Sequence, residues 1–323
     1  MAFLLLAVGV TLLLIGGTLL VRGASGIAAH FNVPSMIIGL SVVAFGTSSP
    51  ELIINITGAM SGETDLAFGN AVGSNLANFG LVLGAAAVLS PIYLQGQIVR
   101  REVPFLLLIT AILMVMAADD SLANVAPMLD RGDAIILLLL FTIFIYFIVR
   151  DLILSEGDPV LQDVEHFNVS KSPSNLAINA LLAIAGMIGL MYGGQMTITQ
   201  GAIIAEILAV PEVVVGIFIV AVGTSLPELV TSAIAAYKEE TDLALGNIVG
   251  SNIFNSLVVL PAAAIIQPLP VPKGGDLDLA VVFVFVLVVI PLFVFSNARL
   301  GRAAGAGLLV SYGAYLVFRF NVA

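Results

Sequence analysis

One segment of this chain occurs twice. Gly39 to Leu81 aligns without a gap on Gly216 to Val258, 177 residues further on, and 22 of the 43 positions are identical. Weaker echoes at the same offset run outward: Gly16-Gly17 returns as Gly193-Gly194, Val33-Pro34 as Val210-Pro211, and Pro91 as Pro268. The repeated unit covers most of each half, so two copies of one structural assembly must make up the fold.

Composition decides the solvent in which they pack. The 323 residues are 60% hydrophobic and 10% charged, with a mean hydropathy of +1.14. A soluble domain carries about a quarter charged residues, so this chain has too little polar surface for a water-facing exterior. Apolar runs recur near the roughly 20 residues that a spanning helix needs. The pattern predicts an all-α integral membrane protein with about ten spans, near residues 3–21, 34–60, 69–91, 103–117 and 133–150, then 174–196, 210–236, 246–266, 277–295 and 303–318. The start Met-Ala-Phe-Leu-Leu-Leu lacks a basic n-region and reads as a retained helix. No cysteine is present, which excludes disulfides and thiolate metal sites. The net charge of -10 comes largely from loop acids, a field suited to cation-rich surroundings.

An odd number of spans per repeat reverses the second copy in the bilayer, which predicts two inverted-topology five-helix repeats. The expected division is 1–151 for the first, 152–172 for a short acidic linker with Glu156, Asp158, Asp163 and Glu165, and 173–323 for the second. Placing the N-terminus outside puts Arg22, Arg100, Arg101, Arg150, Lys171, Lys238, Arg299 and Arg302 inside, against Arg131, Lys273 and Arg319 outside. That split favours a plasma membrane orientation with both termini extracellular and the linker cytoplasmic.

Of the 21 acidic residues, only Glu51 and Glu228 fall deep inside apolar spans, and they are repeat mates. Asp133 and Glu212 fall at span ends. A carboxylate at mid-membrane costs roughly 2.5–3.5 kcal/mol on insertion scales, so it pairs, protonates or binds a cation. No Lys or Arg lies deep in a span to pair with them. Each Glu follows a proline, in Gly46-Thr47-Ser48-Ser49-Pro50-Glu51 and Gly223-Thr224-Ser225-Leu226-Pro227-Glu228. Proline removes one N–H and clashes with the carbonyl four residues earlier. Carbonyls around Ala44 to Thr47 and Ala221 to Thr224 can then turn toward a cavity. Thr47 and Glu51 share a helix face, as do Thr224 and Glu228. Ca²⁺ takes about six to eight oxygen ligands from such groups, and Na⁺ accepts similar ones.

A second element accompanies each Glu. Asn70, Ser74 and Asn78 recur every four residues and line one face, as do Asn247, Ser251 and Asn255. Gly69/Gly73 and Gly246/Gly250 have the G-x-x-x-G spacing that lets helices approach closely. Asn75 and Asn252 lie off the amide face and are expected to satisfy backbone groups at a helix break.

The doubled G-T-S-x-P-E and G-N-x-x-G-S-N-x-x-N segments resemble the two alpha-repeats of the sodium/calcium exchangers, within the calcium/cation antiporter superfamily. The resemblance runs over nearly the whole chain and implies a prokaryotic-type member without regulatory domains. It implies ten helices, with the second, third, seventh and eighth around the ions. Glu51 and Glu228 would bind Ca²⁺ with the carbonyls of Thr47 and Thr224. Na⁺ would use the same carboxylates, Ser48, Ser225, Ser74, Ser251 and the carbonyls of Ala44 and Ala221, with Asn78 and Asn255 flanking the centre. Potassium-dependent relatives typically carry Asp where Asn255 stands, and proton/calcium relatives carry a G-N-A-x-E type segment. Both departures point to exchange of Na⁺ for Ca²⁺ as cargo; separately, neither a cofactor nor a nucleic-acid partner is expected.

Other classes fit less well. A cation channel also uses mid-membrane carboxylates, but channels build pores from rings of subunits or loops. A hydrolase needs a nucleophile and a base. His30 and His166 fall in or near loops, and no Ser/His constellation appears.

Overall fold

The computed structural model describes residues 1–31, 33–93, 98–120, 124–154, 175–207, 223–294 and 299–322. The linker 152–172 therefore lies almost wholly outside the described residues, as do His166, Ala221 and the start of the 210–236 span.

The chain is built from helices. They are α1 (Ala2–His30), α2 (Ser35–Thr47), α3 (Ser49–Ser61), α4 (Thr64–Leu89), α5 (98–116), α6 (Arg131–Leu154), α7 (Leu176–Ile207), α8 (Leu226–Tyr237), α9 (Thr241–Ile266), α10 (Gly275–Val294) and α11 (Arg302–Val322). Among the described residues six helices are long and apolar enough to cross a membrane, and the bent pair α2–α3 makes a seventh candidate. Helices α5 and α10 occupy the predicted 103–117 and 277–295 spans, and α8 occupies the end of the 210–236 span. Helices α4 and α9 form the centre, with 72% and 83% of their apolar windows buried, against 22% for α6 and 17% for α11. The outer helices turn Ile136, Leu139, Val310 and Val317 outward, which suits lipid and not water.

Two features show how the halves are related. The first is a glycine seam between α1 and α7. Gly9 faces Gly193 and Thr197, Gly16 faces Gly186 and Gly189, and Gly23 faces Asn179 and Ala183. One number rises as the other falls, so the helices run antiparallel. Because Gly16 and Gly193 are repeat mates, mate helices point in opposite directions, as inverted topology requires. A Cβ on Gly186 would lie 2.5 Å from the Leu20 nitrogen, so only glycine permits this approach. The seam also explains why α1 and α7 run well past the predicted ends at 21 and 196.

The second feature is a pair of short antiparallel ladders. Strand β1 (Ile92–Tyr93) pairs with β4 (Arg299–Leu300), and β2 (Met128–Leu129) pairs with β3 (Leu269–Pro270). Residues 92 and 269 are repeat mates yet belong to different ladders, each of which ties one half to the other. The span count predicts residues 92 and 299 on one membrane face and 128 and 269 on the opposite face. The strand pairing agrees with both.

Among the described residues four short stretches are π-helical: Gly39–Val43, Asn78–Val82, Ile98–Glu102 and Asn255–Val259. The second and last are repeat mates, and each opens on a predicted site asparagine. A π turn inserts one residue and re-aims the side chains around it, often at functional sites. Nothing in the binary sequence pattern marks these turns.

Candidate ion-binding site

The proline motif bends the chain where the sequence places the break. Helices α2 and α3 meet at Ser48 with a bend of 43°. Ser48 has φ -88° and ψ 5°, and its mate Ser225 has φ -84° and ψ 8°. Pro50 and Pro227 then occupy the first turn of α3 and α8, where a missing N–H costs nothing. Across the break the Ser48 N–H still reaches the Ala44 carbonyl at 3.0 Å, and the Leu52 N–H reaches Ser48 at 3.2 Å. Pro50 has no N–H to offer the Gly46 carbonyl, which frees an acceptor beside the site.

Glycines set the facing element. Gly246 packs on the backbone of Met36, Gly39 and Leu40, and Gly250 packs on Leu40 and Ala44. Here both numbers rise together, so α9 lies parallel to α2. This brings Asn247 and Ser251 against the break. The Thr47 hydroxyl donates to Asn247 Oδ1 at 3.0 Å and lies 3.4 Å from Ser251 Oγ. The mate contact joins Ser74 and Thr224 at 3.2 Å. The counterpart of the α2–α9 packing for Gly69 and Gly73 involves residues outside the described set.

Glu51 and Glu228 are both fully buried at the N-termini of α3 and α8, with 0% exposure. They lie within electrostatic reach of one another, and Ser74 approaches Glu51. Neither Glu51 oxygen makes a hydrogen bond of ordinary geometry. Glu228 Oε1 accepts from Ser48 Oγ at 3.0 Å, while Glu228 Oε2 is unpartnered. The mate contact, Ser225 to Glu51, is not formed: Ser225 Oγ is buried and unpartnered too. The two-fold relation is therefore broken at the two acids.

Around them the amides form two mated pairs. Asn70 Nδ2 donates to Asn55 Oδ1 at 2.6 Å, and Asn247 Nδ2 donates to Ser232 Oγ at 3.0 Å. Asn55 and Ser232, themselves repeat mates, were not singled out by the sequence. They lie one turn beyond Glu51 and Glu228 on the same helix face, and that periodicity was the available signal. Thr231, buried with an unpartnered hydroxyl, was also missed. Asn252 donates to the Ile248 carbonyl at 2.7 Å, a backbone group as expected but one turn back within α9 and not at a helix break. Asn75 departs from that expectation: it donates to Ser256 Oγ at 2.9 Å and so joins the two halves side chain to side chain. Asn78 and Asn255 sit fully buried at the start of their π turns, with both amide atoms unpartnered.

The chemistry of the pocket follows. Buried oxygens without a donor remain on Glu51 (two), Glu228, Ser225, Asn78 and Asn255. Leaving such groups unpaired is costly in an apolar medium, whereas a hard cation takes about six to eight oxygens of this kind. No group of three or more acids or histidines is found among the described residues, so the pair of carboxylates holds the negative charge here. Ala44 is buried at the break, and its mate Ala221 lies outside the described residues.

The sequence profile of the family described as sodium/calcium exchanger protein matches residues 1–150 and 178–321. The chain belongs to the sodium/calcium exchanger family. Among the relatives, the protein named putative antiporter CaxA of Alkalimonas amylolytica is 35% identical over 323 residues, 99% of each chain. Sodium/calcium exchanger MaX1 of Methanosarcina acetivorans is 28% identical over 99% of each chain. The sodium-calcium exchanger NCX_Mj, soaked with 2.5 mM Na⁺ and 0.1 mM Ca²⁺, superimposes with a TM-score of 0.82 at 29% identity. That match covers 98% of this chain and 97% of the other. An exchanger fold built from inverted repeats, spanning a membrane many times, is thus the architecture of this chain.

Proposed function

We propose that the chain is a secondary active antiporter that exchanges Na⁺ for Ca²⁺ by alternating access. The supporting observation is the pair of fully buried mate carboxylates at two helix breaks, with three of their four oxygens unpartnered. Glu51 and Glu228 supply two negative charges to balance one Ca²⁺, with the Thr47 and Thr224 carbonyls as further ligands. Ser48, Ser225, Ser74, Ser251 and the carbonyls of Ala44 and Ala221 extend the set for Na⁺, and Asn78 and Asn255 flank the centre. Both termini lie on the extracellular side of a prokaryotic plasma membrane, in keeping with the distribution of Lys and Arg. The division at 1–151 and 173–323 follows from the same repeat.

The broken symmetry fits this reading. An inverted-repeat carrier open to one side must hold its two halves in unequal conformations. Ser48 engages Glu228 while Ser225 leaves Glu51. The neutral Asn255 leaves two carboxylates as the central charge, which supports exchange without K⁺. Uptake of ⁴⁵Ca²⁺ into proteoliposomes against Na⁺, K⁺ and H⁺ gradients tests the proposal. Uptake driven by an outward Na⁺ gradient supports it, and uptake driven by H⁺ alone refutes it.

A further inference from the structure

One turn beyond each central carboxylate stands a buried side chain outside the proposed ligand set: Asn55 after Glu51 and Ser232 after Glu228, both 0% exposed. The two are repeat mates of different chemistry, yet each gives its neighbour the same thing. Asn55 Oδ1 accepts from Asn70 Nδ2 at 2.6 Å, and Ser232 Oγ accepts from Asn247 Nδ2 at 3.0 Å. An amide carries its donor and its acceptor on the two arms of one planar fork, so holding Nδ2 also fixes where Oδ1 points. Asn55 spends its own Nδ2 on the Ala67 carbonyl at 2.8 Å, which leaves only its oxygen to face Asn70.

In the second half the consequence reaches the ion site. With its Nδ2 on Ser232, Asn247 turns Oδ1 to Thr47 and accepts the Thr47 hydroxyl at 3.0 Å. The series Ser232, Asn247, Thr47 thus runs from α8 through α9 to the break in α2, out of one repeat and into the other. Thr47 has a single hydroxyl proton. Its contacts with the Ala44 carbonyl and Ser251 Oγ are both 3.4 Å, so the bond to Asn247 is the shortest of the three. Thr47 also lies beside the Glu228 carboxylate, whose Oε2 is buried and receives no hydrogen bond. The Thr47 proton faces Asn247 and not that oxygen.

We propose that Ser232 is a positioning residue of the exchange site. By holding the Asn247 amide with Oδ1 toward Thr47, it keeps the Thr47 proton off Glu228 Oε2 and leaves that oxygen open to the cation. The inference rests on Glu228 being a cation ligand, as proposed above. Without an acceptor at residue 232, nothing opposes a half-turn of the Asn247 amide about its Cβ–Cγ bond. Nδ2 then donates to Thr47, and the Thr47 proton passes to Glu228 Oε2. Hydrogen bonds to an ionised acceptor are about twice as strong as neutral ones, so a cation reaching the carboxylate must displace a firmly held donor. Ser232 touches no ion, and its effect is carried wholly by the orientation of Asn247 and the proton of Thr47.

The test is the initial rate of Na⁺-driven ⁴⁵Ca²⁺ uptake into proteoliposomes as a function of Ca²⁺ concentration. The chains compared are wild type, Ser232→Ala, Ser232→Thr, Thr47→Val and the Thr47→Val/Ser232→Ala double variant. Ser232→Ala should raise the apparent KM for Ca²⁺ on the order of tenfold, the effect of one added hydrogen bond to a charged group, with the maximal rate changed by less than about twofold. Ser232→Thr keeps the hydroxyl and should restore the wild-type KM. In the Thr47→Val background there is no hydroxyl proton to divert, so adding Ser232→Ala should leave KM within about twofold of that background. An unchanged KM in Ser232→Ala overturns the inference. An equal rise in both backgrounds also overturns it, because it marks a packing defect. If Ser232→Ala does not fold, Ser232→Cys replaces it, since sulfur accepts hydrogen bonds only weakly, and the same rise in KM is required. If Thr47→Val does not fold, Thr47→Ala takes its place. A wild-type chain without Na⁺-driven uptake overturns the exchange reading and this inference with it, whereas an active wild type with an unchanged Ser232→Ala overturns this inference alone.

Discussion

Replacing Gly246 with alanine tests whether the close α2–α9 packing is what holds the ion site together. A Cβ at residue 246 would fall 2.5 Å from the Met36 carbonyl oxygen, 3.1 Å from the Leu40 nitrogen and 3.2 Å from the Gly39 Cα, where ordinary contact begins at 3.4 Å. All three neighbours are backbone, so no rotamer change relieves the clash, and α9 must retreat from α2 by about 0.9 Å. The next residue is Asn247, whose Oδ1 accepts from Thr47 at 3.0 Å. A retreat of that size carries the contact beyond hydrogen-bond range and leaves buried polar groups without partners. Overpacking of this kind costs about 1–3 kcal/mol, and the lost buried hydrogen bond adds about 1 kcal/mol. The assay pairs Tm in detergent with Na⁺-driven ⁴⁵Ca²⁺ uptake per reconstituted protein. The expected outcome is a lower Tm together with at least a tenfold loss of uptake. Gly307→Ala, where an added Cβ meets nothing within 4 Å, is the control and should behave as wild type. A Gly246→Ala chain with unchanged Tm and unchanged uptake refutes the packing argument.

The other predictions concern the cargo. Glu51→Gln and Glu228→Gln should each abolish Ca²⁺ exchange in a chain that still folds, because each removes half of the charge balancing Ca²⁺; a folded variant with near-normal uptake ends the two-carboxylate reading. Na⁺-driven Ca²⁺ flux should not change when choline replaces K⁺ on both sides, since Asn255 contributes no charge; a strict K⁺ requirement contradicts this. Exchange should also be voltage-driven. The oxygen inventory exceeds the needs of one Ca²⁺ and accommodates more than two Na⁺, so the Na⁺-loaded form carries net positive charge, worth about 2.3 kcal/mol per unit charge per 100 mV. In proteoliposomes clamped with valinomycin and K⁺ gradients, a negative interior should accelerate Na⁺ entry coupled to Ca²⁺ exit. Flux indifferent to reversal of the clamp indicates neutral exchange.

Most of the architecture is legible in the sequence. The 177-residue repeat implies two similar units, and an odd span count implies that they are inverted. The antiparallel α1–α7 seam and the crossed pairing of β1 with β4 and β2 with β3 agree with that inference. The central acids were legible because a carboxylate inside an apolar run conflicts with its medium, and such conflicts mark function. Proline before each Glu located the bend for the same local reason.

What the tertiary structure alone decided is which of several equivalent neighbours each group meets. A repeat encodes symmetric possibilities, while one packed conformation realises only some of them. Ser48 donates to Glu228, 180 residues away, and Ser225 makes no matching bond to Glu51. Asn75 crosses to Ser256 while its mate Asn252 turns back on its own helix. The π turns at Asn78 and Asn255 shift the register by one residue without any change in hydrophobic pattern. Glu102, just before the predicted 103–117 span, carries no signal in the sequence, yet the fold buries it beside Arg101, which also pairs with Asp151. Local sequence determines which residues conflict with the membrane, and long-range packing determines how each conflict is resolved.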